Sequence, residues 1–194
     1  PSSQGNIGGE AYYPTPNSSG WFSGGGGGAG AAGENGLDAA GGTNPPSSFT
    51  GGAGGAGLQN NIDGNNYFYA GGGGGDATRI SSGGITGGAG GSSIGGTGGH
   101  YSTSTELAPT DASPVNRGSG GGGGTNYDVP ANAIGGAGSS GIIILRNKRA
   151  TATLGAGITV NGVTGAATVS GDTTNMPAGE YFYSATSGTG TITF

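Results

Sequence analysis

The chain has 194 residues, of which 53 are glycine, 30% are hydrophobic and only 8% are charged. The net charge of −5 is small, and only Arg146, Lys148 and Arg149 form a basic cluster, so nucleic-acid binding is not expected. Cysteine is absent and histidine occurs once, so disulfides and thiolate zinc sites are excluded and no metal or cofactor is expected. No apolar stretch approaches a membrane-spanning length, and no membrane insertion is expected.

Residues 1–23 form a polar lead-in, in which one short strand can form over 10–13. From Gly24 onward, glycine recurs every third residue within runs. A three-residue period matches the polyproline II helix, and glycine at every third position leaves one of its faces without Cβ atoms. Two backbones can then approach closely. The segment 24–141 is therefore predicted to be a bundle of polyglycine II rods that are hydrogen-bonded to one another.

The rods alternate with loops of varied composition, which is not typical of a disordered linker. The glycine runs are 24–36, 51–57, 71–75, 83–99, 118–124 and 135–141. The run 83–99 contains Ser92-Ser-Ile94 and forms either one rod or two rods with a turn. With one rod, the aromatic clusters at 67–69 and 100–101 lie at the same end of the bundle as Trp21. With two rods, they lie at opposite ends.

After Gly141 the composition changes to short β-type segments separated by Gly, Asn and Asp turns. Ile142–Leu145 is predicted to be a buried strand. Further strands are predicted near 152–154, 158–160, 166–169, 180–183 and 189–194. The predicted fold class is thus mostly irregular and all-β: a polyglycine II bundle over 24–141, with a small β module over 142–194.

Two motifs resemble those of enzymes but lack the required context. Gly28-Ala-Gly-Ala-Ala-Gly33 matches the dinucleotide fingerprint without the strand and helix that its mechanism needs. Gly91-Ser-Ser-Ile-Gly95 matches a nucleophile elbow, without an α/β pattern around it. We therefore expect a protein that is not an enzyme.

Bulky residues in the loops are the candidates for recognition, because varied loops on a rigid scaffold commonly carry function. Tyrosine supplies a large, stiff contact area. The alternative is that the aromatic residues cap the rods or pack on the β module. The candidate contact residues are Phe49, Tyr67, Phe68, Tyr69, Arg79, His100, Tyr101 and Tyr127.

The alternation of GGGGGAG, GGAGGAG, AGGGGGD and GSGGGGGT runs with loops resembles the receptor-binding adhesins of T4-like bacteriophage tail fibres. The stretch Gly135-Gly-Ala-Gly-Ser-Ser-Gly-Ile-Ile-Ile-Leu-Arg146 is similar to the closing strand of those glycine-rich domains. The resemblance covers roughly 24–146. It implies a polyglycine II sandwich on the virion surface whose loops bind an outer-membrane protein or a surface polysaccharide of the host.

The chain departs from that family pattern in two ways. It has almost no N-terminal attachment domain, and a β module follows the glycine region. A structural subunit of a virion fibre or extracellular filament, which contacts other virion proteins or copies of itself, is the main alternative. An ice-binding protein is a more distant one, since ice binding needs a flat face of regular small residues.

Overall fold

The structure is a computed structural model that describes residues 5–12, 20–38, 48–79, 84–103, 106–125 and 134–194. These residues form β-strands and irregular segments, with a single 3₁₀ turn at Gly91–Ser93. The predicted all-β and irregular class is confirmed at this level. The chain divides into two compact units: unit 1 spans 1–58 and 68–139, and unit 2 spans 59–67 and 140–194.

The strands are short and fall into small sheets. Those before residue 140 are β1 Gly20–Phe22, β2 Leu37–Asp38, β3 Ser48–Thr50, β4 Leu58–Asn60, β5 Tyr67–Tyr69, β6 Ala77–Arg79, β7 Gly84–Thr86, β8 His100–Tyr101 and β9 Glu106–Leu107. They form the sheets β1-β6-β8-β9 and β2-β3-β7 and the hairpin β4-β5. Those after residue 140 are β10 Ile143–Asn147, β11 Thr151–Leu154, β12 Ile158–Val160, β13 Val163–Thr164, β14 Thr168–Ser170, β15 Tyr181–Gly188 and β16 Ile192–Thr193. They form the sheets β10-β15-β12-β13 and β14-β11-β16.

Extended segments that consist largely of glycine and small residues connect the strands of unit 1. We number them in chain order as run 1 (5–10), run 2 (23–29), run 3 (31–36), run 4 (51–57), run 5 (70–76), run 6 (87–91), run 7 (95–99), run 8 (109–113), run 9 (118–125) and run 10 (134–139). Few of their residues can bury apolar surface, so their order has to come from backbone hydrogen bonds.

Backbone hydrogen bonds join the runs with a period of three residues. In run 5, the amides of Gly72 and Gly75 donate to carbonyls of run 4, and their own carbonyls accept from run 6. The amide of Gly74 instead donates to run 7, and its carbonyl accepts from run 9. The carbonyl of Gly73 accepts from run 2. Every third residue of run 5 therefore faces the same neighbour.

Run 5 is hydrogen-bonded to five other runs, namely runs 2, 4, 6, 7 and 9. Consecutive members of this ring are also bonded to one another: run 4 to run 2, run 4 to run 6, run 7 to run 6, and run 7 to run 9. A strand within a β-sheet pairs along its two edges only. The runs therefore pack around one another in three dimensions and do not form another sheet.

Glycine is required where the runs touch. A Cβ atom at Gly74 would overlap the carbonyl oxygen of Gly88, and one at Gly73 would overlap that of Gly121. Backbones at this separation leave no space for a side chain. The glycine content is thus explained by contact between runs.

Two of the predicted rods are each a pair of runs. The segment 24–36 reverses at a bend over 29–31, where the amide of Gly28 donates 2.9 Å to the carbonyl of Ala31. The segment 83–99 divides at the 3₁₀ turn, in which Ser92 and Ser93 have φ values of 50° and 56°. The prediction of a continuous rod over 24–36 is therefore wrong, and the two-rod alternative for 83–99 is confirmed.

The lead-in is part of the bundle. The amides of Asn6 and Gly9 donate to the carbonyls of Gly28 and Gly25, at 3.1 and 2.8 Å. Tyr12 then forms an isolated antiparallel bridge with Phe22. The lead-in thus adds run 1 to the outside of run 2.

A small apolar core stabilises one end of unit 1. It consists of Phe22, Phe49, Ala77 and Ile85. The rings of Phe22 and Phe49 are stacked with centroids 4.5 Å apart. This core lies between the sheets β1-β6-β8-β9 and β2-β3-β7, which supply its residues. We call this end of unit 1 the sheet end. The opposite end, which contains the bend at 29–31 and the 3₁₀ turn, is called the turn end.

Unit 2 has its own core of alternating strand residues. Ala152, Leu154, Ile158, Val160, Val169, Tyr183 and Ala185 form it. A two-residue turn at Asn161-Gly162, with φ values of 47° and 79°, joins β12 to β13 as the sequence predicts. The prediction of a buried strand over 142–145 is wrong. A strand does form there, but β10 begins at Ile143, which is 64% exposed, and Leu145 is only partly buried against the core of unit 2.

Candidate contact surface

The predicted contact residues fall into three groups in the structure. Phe68 and Tyr69 lie on β5 at the turn end of unit 1, while His100 and Tyr101 lie on β8 at the sheet end. Run 5 connects the two places, and an extended segment of seven residues spans about 20 Å. The aromatic clusters are thus at opposite ends of the bundle.

Phe49 and Arg79 form the second group, and both are buried. Phe49 is 3% exposed and belongs to the apolar core, and Arg79 is 8% exposed, with its guanidinium carbon 4.5 Å from the centre of the Phe49 ring. A cation over an aromatic face is favourable, and it explains how this arginine is accommodated. Because both side chains are covered, we leave them out of the contact surface proposed below.

Tyr127 is the third case, since it lies outside the described residues. The same holds for residues 39–47, 80–83 and 126–133. The candidate surface is therefore built from the described strands that flank them.

The hairpin β4-β5 carries exposed aromatic side chains. Tyr67 is 40% exposed and Phe68 is 39% exposed. The guanidinium of Arg117 lies 4.8 Å from the centre of the Tyr69 ring. Residues 59–67 of this hairpin belong to unit 2, where the Asn175 side-chain amide donates 2.6 Å to the Asn65 side-chain oxygen. The tip of the hairpin is thus engaged in contacts within the chain.

The sheet β1-β6-β8-β9 presents the other aromatic surface. Trp21 is in register with Thr78, Thr78 with Tyr101, and Tyr101 with Glu106. Residues in register on neighbouring strands share a face of the sheet. Trp21 and Tyr101 are therefore two strands apart on one face, at a spacing of about 10 Å.

Exposure along this row is uneven, because Thr78, which lies between the two aromatic residues, is only 2% exposed. Trp21 is 46% exposed, and Tyr101 is partly exposed. The adjacent register row contains Phe22 and Ala77, which are buried in the core. We call the row of Trp21, Tyr101 and Glu106 the aromatic face. Sequence analysis did not select Trp21 or Glu106, because nothing local shows that β1 and β9 flank β6 and β8.

The His100 side chain is partly buried at the edge of the core row. This burial lowers the pKa of His100 below its usual value of 6.5, because the charged imidazolium loses solvation. At neutral pH the residue is therefore uncharged. It contributes a hydrogen-bonding, partly apolar surface next to Tyr101.

The described residues contain no group of three or more His, Asp or Glu side chains that could hold a metal ion. Among these same residues, no helix has the length and apolar character needed to cross a lipid bilayer. No protein-family model matches the chain, and no curated protein or solved structure is significantly similar to it. The function is therefore argued from the geometry of unit 1.

Proposed function

We propose that the chain is an adhesin of a bacteriophage tail fibre, which binds the bacterial surface through the sheet end of unit 1. The observation that carries this proposal is the aromatic face, where Trp21 is exposed in register with Tyr101 on a preorganised scaffold. Aromatic side chains are over-represented among residues that dominate binding energy. A rigid scaffold also lowers the entropy cost of ordering a contact surface.

For the scaffold we propose a polyglycine II sandwich. Three observations support it: hydrogen bonds between runs and not within them, a period of three residues, and five hydrogen-bonded neighbours around run 5. Polyproline II segments have three residues per turn and no internal hydrogen bonds, so their amides are free to bond in several directions. The arrangement agrees with the fold that the family resemblance implies.

The sheet end is favoured over the turn end as the binding tip. The tip of the hairpin β4-β5, at residues 59–67, is grouped with unit 2 and contacts Asn175. The residues of the aromatic face all belong to unit 1. The proposed partner is an outer-membrane protein or a surface polysaccharide, and the proposed location is the virion surface. In this role the chain is not an enzyme.

The test is binding of the purified, fluorescently labelled chain to a panel of bacterial strains. Trp21→Ala removes an exposed side chain and should fold normally. If Trp21 is a hot spot worth at least about 2 kcal/mol, its removal weakens binding by about 30-fold. Phe68→Ala, an equally exposed aromatic at the turn end, is the matched control and should bind like the wild type.

Two results would count against the proposal. Loss of binding in Phe68→Ala but not in Trp21→Ala would move the tip to the turn end. Binding to no strain, together with assembly into filaments, would favour the structural subunit. Protease or glycosidase treatment of the bacteria distinguishes a protein receptor from a polysaccharide.

A further inference from the structure

A groove runs along run 5 on one side of unit 1. It has a volume of about 480 Å³ and is lined by run 5, run 2 and run 9, with Gly5 of run 1 at its edge. Nearly all lining residues are glycine, with Ser23 and Asp76 at the end that leads to β6. The floor of the groove, Gly71 to Gly75, is buried although no run covers it.

The hydrogen bonds around run 5 show what is missing from the groove. In order around it, run 5 accepts from run 2, donates to run 4, accepts from run 6, donates to run 7 and accepts from run 9. Donation and acceptance alternate over these five positions. The sixth position, between runs 9 and 2, coincides with the groove and requires donation from run 5.

The residue that should donate there is identified by the three-residue period. Gly72 and Gly75 donate to run 4, and Gly74 donates to run 7, which leaves Ala70, Gly73 and Asp76 for the sixth position. The amide of Ala70 does donate, at 2.7 Å, to the carbonyl of Arg117. The amide of Gly73, which is buried, donates to no atom of the described residues. At one end of the sixth position the carbonyl of Arg117 accepts from Ala70. In the middle, at Gly73, no acceptor is present among the described residues.

The walls of the groove complement this floor. The carbonyls of Gly24 and Gly27 in run 2 and of Gly121 in run 9 accept no hydrogen bond from the described residues. In runs 2 and 9, every third residue lacks a hydrogen-bonded neighbouring run, and these three carbonyls belong to such residues. A strand in the groove could donate to these carbonyls and accept from Gly73. This combination suits a polypeptide backbone, which carries donors and acceptors in alternation.

We propose that this groove binds an extended, glycine-rich segment of a partner chain, which takes the sixth position around run 5. The segment needs glycine at about every third residue, because the runs of this bundle approach too closely for Cβ atoms. Run 1 shows the form of such a peripheral segment, since Gly5-Asn-Ile-Gly-Gly-Glu10 combines glycine with polar residues. The proposal rests on the hydrogen bonds of unit 1 and not on the adhesin function.

The chemistry of the groove disfavours other occupants. The groove presents unpaired carbonyls in its walls and the Asp76 carboxyl at one end, which disfavours an anion. A second copy of this chain is also disfavoured, because its described glycine runs are already hydrogen-bonded within their own bundle. A partner with a free glycine-rich segment meets neither obstacle.

The test uses the full chain, labelled with ¹⁵N, and a synthetic peptide. The peptide has the order of residues 51–57, Gly-Gly-Ala-Gly-Gly-Ala-Gly, with flanking lysines for solubility. We expect saturable shifts of the Gly73 amide signal and slower hydrogen exchange at that amide. A peptide with alanine at every glycine position should cause neither effect. This comparison does not depend on any variant of the protein.

Gly26→Ala tests the location. A Cβ atom at Gly26 lies 3.4 Å from the Gly73 nitrogen, an ordinary van der Waals contact, so the methyl group fits the fold and covers the donor. Binding of the glycine peptide should be lost. Gly141→Ala is the control, because no atom lies within 4 Å of its Cβ position, and it should bind as the wild type does.

Four results would overturn the proposal. They are no shift at Gly73 at any soluble peptide concentration, equal binding of the alanine peptide, undiminished binding to Gly26→Ala, and a concentration-dependent dimer in sedimentation that Gly26→Ala abolishes. The last result would assign the groove to a second copy. Unchanged bacterial binding in Trp21→Ala would contradict the adhesin proposal without affecting the peptide result, so the two proposals fail separately.

Discussion

Alanine substitutions at Gly74 and Gly26 should have opposite effects on the stability of unit 1. A Cβ atom at Gly74 would overlap the backbone of run 6 at Gly88. Separation of the runs breaks the bonds from Gly88 to Gly75 and from Gly98 to Gly88, which measure 2.8 and 2.9 Å. Leaving these groups unpaired costs about 1–3 kcal/mol each. The reduced freedom of the unfolded chain offsets about 0.4–1 kcal/mol. We expect a net loss of about 1–5.6 kcal/mol.

Gly26→Ala also reduces the freedom of the unfolded chain, but it breaks no hydrogen bond between runs. Its Cβ atom meets Gly73 at an ordinary contact distance of 3.4 Å. The variant should therefore be as stable as the wild type or more stable by about 0.4–1 kcal/mol. For a chain of this size, Gly74→Ala should lower the melting temperature by roughly 2–22 °C, and Gly26→Ala should raise it by about 1–4 °C.

The assay is thermal unfolding followed by tryptophan fluorescence. The chain contains one tryptophan, Trp21, which lies in unit 1, so the signal reports on that unit alone. Gly5→Ala, which lies in unit 1 and has an unobstructed Cβ position, gives the baseline for the substitution itself. Equal melting temperatures for Gly74→Ala and Gly26→Ala would refute the reasoning, because the runs would then not be in the close contact that requires glycine.

Two further predictions concern single side chains. Tyr183→Phe should cost about 0.5–1.5 kcal/mol in denaturant unfolding, because the hydroxyl donates 2.6 Å to the carbonyl of Arg149; a cost near zero would contradict this bond. Burial raises the pKa of the Asp76 carboxyl above 3.8, although a hydrogen bond from Ser23 opposes the shift. Since the folded state holds this proton more tightly, stability falls as pH rises from the usual carboxyl pKa through the raised one. Asp76→Asn should abolish that fall between about pH 3 and 7, and an unchanged pH profile would show that another group causes it.

The glycine period predicted the bonding between runs but not the points at which the chain reverses. Gly24, Gly27, Gly30, Gly33 and Gly36 keep one register through the bend at 29–31. Glycine and alanine adopt both the extended and the turning conformation, so composition does not mark the reversal. At Ser92-Ser93 the change of residue type did indicate a turn. When glycine keeps one register through a bend, the sequence does not indicate how many runs the segment forms.

The aromatic face depends on pairing between distant residues. Trp21 and Tyr101 come together only because β6 lies between β1 and β8 in the sheet. The local sequence of His100-Tyr101 identifies an aromatic pair, but not which of the two faces the core. The same limit applies to Phe49, whose burial follows from stacking on Phe22. Sequence analysis thus placed these bulky residues next to the glycine runs but could not separate exposed side chains from core side chains.

Two different sources of order stabilise unit 1, and their separation bears on function. The apolar core of Phe22, Phe49, Ala77 and Ile85 is confined to the sheet end, while hydrogen bonds between glycine runs order the rest. Residues of the aromatic face point away from that core, and so they can change without loss of either source. A binding surface that must vary is best placed on such a scaffold, because stability does not constrain it. Gly73 and its neighbours have the opposite property, since the packing of the runs fixes their identity.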